Sequence, residues 1–115
     1  MSPRAEAPPL QQALQTVDSL RSVGDFRTSL TRLYELSREH PASVEGLWRY
    51  AILWSDYGKA ADSENQARSA YRQALEMADR ALEADPRSAW AHLAKAAASG
   101  RAALLAGGNK QSIRL

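Results

Sequence analysis

A chain of 115 residues has room for one domain with its own core. At 44% hydrophobic and 24% charged residues, its composition excludes a disordered chain and a membrane protein. The complete lack of cysteine excludes disulfides, thiolate zinc sites and a cysteine nucleophile. The net charge of +2 conceals a gradient: residues 1–41 balance five bases against five acids, residues 42–86 carry five against eight, and residues 87–115 carry five bases and no acid. Those five charges are too sparse for a nucleic-acid patch and read as a solvated face.

Met1 to Pro9 is rich in Pro and Ala and reads as a disordered arm; it has no apolar leader. No apolar run approaches the roughly 18 residues of a spanning helix, so no membrane insertion is expected. Cytoplasm, and export with a removed leader, both stay open. Leu10, Leu14, Val17 and Leu20 recur at helical spacing up to Gly24-Asp25, a helix-stopping glycine followed by an N-cap. Phe26, Leu30, Leu33, Tyr34 and Leu36 mark a second helix that ends near His40, before Pro41. Ser43 caps a third helix, whose Leu47 to Tyr57 are apolar except for a strip around Arg49 and Asp56. After a weaker stretch, Gly58 to Ser63, a fourth helix carries Ala67, Ala70, Tyr71, Ala74, Leu75, Ala78, Ala81 and Leu82. Ser88 caps a fifth helix, which Gly107-Gly108 is expected to stop, leaving Asn109 to Leu115 as the start of a sixth.

The cadence repeats. Ala81-Leu82-Glu83-Ala84-Asp85-Pro86 leads into Arg87-Ser88-Ala89-Trp90-Ala91-His92, and Pro41 closes the first unit in a similar way. These segments resemble the tetratricopeptide consensus at the end of one repeat and the start of the next. Together with Leu47-Trp48-Arg49-Tyr50-Ala51 and Gly100-Arg101 through Gly107-Gly108, they look like the tetratricopeptide-like regulators of microtubule dynamics and their bacterial relatives. The second unit departs from the 34-residue tetratricopeptide period: it runs 45 residues from Pro41 to Pro86, an apparent extension around Lys59 to Ser69. The resemblance implies an all-α fold, a right-handed superhelix of antiparallel helical hairpins. Its single domain would span residues 10–115, in units of about 10–41, 43–86 and an incomplete 88–115. Members of the family usually continue past a point equivalent to Leu115. Tubulin or another acidic partner follows from the resemblance alone.

Catalytic and cofactor chemistry finds no constellation. His40 and His92 lack metal-ligand spacing, and Ser99 has no base or acid assigned to it. Gly107 to Ser112 lacks the first glycine and the Lys-Ser/Thr of a phosphate loop. Asp62-Ser63-Glu64-Asn65 lacks the glycine and distal glutamate of a calcium loop and reads as helix capping. Asp79 and Glu83 read as a solvated face with Arg72, Arg80 and Arg87. No enzyme, metal or cofactor is expected.

What remains is binding. In tetratricopeptide-like solenoids the first helix of each hairpin lines a concave groove for peptides or helices. The resemblance therefore places Leu14, Asp18 and Arg21 of helix one, Trp48, Ile52 and Ser55 of helix three, and Trp90, Leu93, Ala97 and Arg101 of helix five on that groove, with Tyr50, Ala51 and Trp54 turned inward. Trp48 and Trp90 carry two readings, groove-lining or packed between repeats. Domains of this kind that clamp a C-terminal carboxylate use basic and Asn side chains where Leu14 and Asp18 stand, so an apolar or amphipathic peptide suits the groove better. The expectation is a protein-interaction scaffold. The alternative is a module that self-associates, as a homo-oligomer, through an uncapped C-terminal hairpin face.

Overall fold

Five helices follow one another in the computed structural model, which describes residues 7–114, with side chains over 9–107. They are α1 (Ala7–Ser22), α2 (Phe26–Glu39), α3 (Val44–Lys59), α4 (Glu64–Ala84) and α5 (Ala89–Arg114). The connections are only three or four residues long, so each helix folds back on the one before it.

The turns are set by local chemistry. Gly24 adopts a φ of +80°; its N–H donates to the Arg21 carbonyl, and that of Asp25 donates to the Leu20 carbonyl, both at 3.0 Å. This is the paired closure that a left-handed glycine gives a helix end. Asp25 then caps α2, its carboxylate accepting from the Thr28 N–H. Ser43, Ser63 and Ser88 do the same for α3, α4 and α5 through the N–H groups of Gly46, Gln66 and Ala91. At Asp85-Pro86 the Asp85 N–H closes α4 on the Ala81 carbonyl while its carboxylate accepts from the Arg87 N–H.

Two sequence expectations need correction. Gly107-Gly108 does not stop the fifth helix: α5 runs unbroken from Ala89 to Arg114, so no sixth helix begins at Asn109. A glycine ends a helix by turning left-handed, and among the described residues Gly24 alone has positive φ. Of the arm expected over residues 1–9, residues 1–6 lie outside the described residues, while α1 already starts at Ala7, with Pro8 and Pro9 in its first turn.

One apolar core joins all five helices, from Leu14 and Val17 through Leu33, Leu36, Leu47 and Leu53 to Met77, Ala81, Ala91 and Ala94. α3 is its hub, packed against α2, α4 and α5, as a helix apolar nearly all round requires. Alanines at positions 67, 70, 74, 78 and 81 let α4 approach closely. At Gly58 the approach is closest: a Cβ there would stand 2.6 Å from the Tyr71 ring.

Candidate binding face

The register of α1, α3 and α5 follows from named contacts. Asp18 pairs with Arg49, and Arg21, one turn further along α1, pairs with Asp56, two turns further along α3. Trp48 stacks on Trp90, and Ser55 is bonded to Arg101, later on both α3 and α5. The three helices therefore run in the same direction and share one face.

At the N-terminal end of that face lies an aromatic shelf. The Trp48 and Trp90 rings are stacked at 5.0 Å between centroids and 15° between planes. The Arg49 guanidinium sits 4.3 Å from the Trp48 ring, and the indole N–H of Trp48 donates to Glu45 at 3.0 Å. Trp48 is thus fixed on several sides and only 9% exposed, whereas Trp90 stays 55% and its neighbour Leu93 54% exposed. Trp48 is packed between helices, and its stacking partner Trp90 lies at the surface. Half-buried Ile52 and Ala97 continue along the face.

At the other end is a polar cleft of about 570 Å³, lined by Asp18, Arg21, Ser22, Phe26, Asp56, Lys59, Ala60 and Arg101. Asp56 is its hinge point. The carboxylate accepts from Arg21 Nε of α1 and, at 3.3 Å, from Arg101 Nη1 of α5. The same Nη1 donates to Ser55 Oγ at 2.8 Å, which satisfies a hydroxyl that is otherwise sealed in the core. Asp18 is held by Arg49 through Nε at 2.9 Å and Nη2 at 3.2 Å.

The ten residues assigned from the sequence therefore fall into three groups. Trp90, Leu93, Ile52, Ala97, Asp18, Arg21 and Arg101 contribute surface to this face. Trp48 backs Trp90. Leu14 and Ser55 are buried beneath the face and lend it no surface, Leu14 as a core side chain and Ser55 as the anchor of Arg101. Tyr50 and Ala51 are buried, and on the side of α3 away from Trp48 Tyr50, half-buried Trp54 and exposed Tyr57 form a second aromatic run. Burial raises the Tyr50 phenol pKa.

Sequence reasoning missed Asp56 and Lys59 on this face. Lys59 lies four residues beyond Ser55 and eleven beyond Trp48, hence on their side of α3, a signal present in the sequence. The pairing of Asp56 with residues 35 and 45 positions away carries no local signature. The His40 backbone N–H closes α2 on the Leu36 carbonyl, and His92 Nε2 lies 2.7 Å from the Pro86 carbonyl. Among the described residues no three His, Asp or Glu side chains gather as metal ligands, and no helix is long and apolar enough to cross a membrane.

The family model for regulator of microtubule dynamics protein 1-3 matches residues 13–114, from within α1 to the end of α5, which takes in the whole of this face. No curated protein and no solved structure matches the chain.

Proposed function

The chain belongs to the regulator of microtubule dynamics family, and from that premise we propose that it is a non-enzymatic, tetratricopeptide-like interaction module that holds a peptide or helix of a protein partner along the face of α1, α3 and α5. Folded-back hairpins whose first helices run in parallel are what such a solenoid requires.

The observation that carries the reading is the Trp48–Trp90 stack. A large aromatic surface, half open to water beside an exposed leucine and braced from behind on rigid helices, is the composition of an energetic anchor for a partner. The polar groups of the face are arginine–carboxylate pairs and a capped hydroxyl. They hold geometry and place no base beside a nucleophile. The family's name suggests a partner connected with microtubules. The test is selection of binders from a displayed library of random 12-residue peptides. Trp90→Ala should weaken the selected peptides about tenfold or more, as loss of an anchor does; unchanged affinity overturns the groove.

A second reading, self-association, is favoured by an exposed apolar strip of α5, where Leu93 and Leu104 are 54% and 77% exposed beside exposed Ala89, Ala96 and Ala103. Light scattering across protein concentrations tests it: a dimer that Leu104→Glu returns to monomer supports it, and a monomer throughout rejects it.

A further inference from the structure

We infer that the polar cleft at the C-terminal ends of α1 and α3 is a seat for one carboxylate of the bound peptide, an Asp or Glu side chain held by Arg21, Lys59 and Arg101. This deepens the groove reading and rests on it. Three cations line the cleft, and Asp56 is the carboxylate that answers Arg21 and Arg101 together. The other carboxylate of the wall, Asp18, shares Arg49 with Glu45, and among the described residues Lys59 forms no ion pair. Three positive charges set against Asp18 and Asp56 leave the lining with one positive charge in excess. That balance suits a monovalent carboxylate and disfavours a doubly charged phosphate, which would overshoot it beside Asp56.

Donors remain for the task. Arg21 gives Nε to Asp56, and Arg101 gives Nη1 to Ser55 and Asp56; their other guanidinium nitrogens stand at side chains that are 46% and 31% exposed. Because Ser55 and Asp56 fix both arginines, a ligand meets donors already ordered, which lowers the entropy lost on binding.

Position fixes the peptide's pattern. From Trp48 to Asp56 and Lys59 is eight to eleven residues of helix, or about 12–16 Å. An extended peptide covers that in about four or five residues and a helical one in about eight to eleven. The ligand should therefore pair an apolar side chain on the Trp90–Leu93 shelf with an acidic one at that spacing.

The random 12-residue library, amidated at the C-terminus in follow-up synthesis, tests this directly. Selected peptides are expected to show Asp or Glu at the stated distance from an apolar residue. Glu→Gln in the peptide should lose about tenfold in affinity, as should Lys59→Gln and Arg21→Gln together in the protein, with the fold intact by circular dichroism. Peptides that depend on Trp90 but show no acidic preference, and that bind the double variant as well as the native chain, overturn the carboxylate seat and leave the groove standing. If no selected peptide depends on Trp90, the groove reading falls and the seat falls with it.

Discussion

Arg101 of α5 donates to the buried Ser55 hydroxyl of α3 at 2.8 Å, and so locks α5 to α3 at the point where the cleft begins. Removing either partner has unequal consequences. Ser55→Ala leaves Arg101 on Asp56 and partly hydrated, which should cost about 1 kcal/mol. Arg101→Ala leaves the Ser55 hydroxyl unpaired out of water and should cost about 2 kcal/mol. Urea unfolding of the single variants and the double variant should give a coupling of about 0.5–1.5 kcal/mol; additive effects would contradict the lock.

Glycines separate the turns from the helix interiors. Gly24→Ala puts a side chain on a left-handed residue and should cost about 1–2 kcal/mol. Gly58→Ala pushes a methyl into the Tyr71 ring and should cost about 1–3 kcal/mol through overpacking. Gly107→Ala, with helical backbone and open space around it, should instead stabilise α5 by up to about 1 kcal/mol and raise helix content. A loss of helix on that last change would restore the stop expected from the sequence.

Tyr50 gives the chain an alkaline limit. Burial raises its pKa above the ordinary phenol value, so the folded protein keeps a proton that the unfolded chain releases. This contribution is complete below the unfolded pKa of about 10 and is lost as pH climbs through the folded value. Tyr50→Phe should therefore show a smaller fall in Tm between about pH 9 and pH 11 than the native chain. An equal fall would place the alkaline loss elsewhere.

The tryptophan stack has its own optical signature. Trp90→Phe and Trp90→Ala should both abolish the coupled near-ultraviolet circular dichroism of two indoles 5.0 Å apart, and the alanine should cost about 1 kcal/mol more in stability, because it also removes the aromatic contact. A spectrum unchanged in either variant would mean the rings are not stacked in solution.

Much of this architecture was legible in the sequence because helix ends are local events. Gly24-Asp25, Ser43, Ser63, Ser88 and Asp85-Pro86 announce the turns through groups within a few residues of one another. Gly107-Gly108 misled because glycine permits a stop without compelling one. The site was legible only as a helix face. Periodicity placed Trp48, Ile52 and Ser55 on one side of α3, but the depth of that side depends on what packs over it. Leu14 and Ser55 therefore sank into the core, while Trp90 stayed open. The ties from Arg21 and Arg101 to Asp56 span 35 and 45 residues and exist only once α1 and α5 are docked.

The most direct test of the central claim is an amide and indole chemical-shift map of the isotope-labelled protein, titrated with a peptide selected from the random library. Binding along the shared face of α1, α3 and α5 predicts the largest shifts at the indole N–H groups of Trp48 and Trp90 and at the backbone of Leu93, Ala97 and Arg101. Shifts confined to the outer surfaces of α2 and α4, around Tyr34 or Ser69, would contradict it.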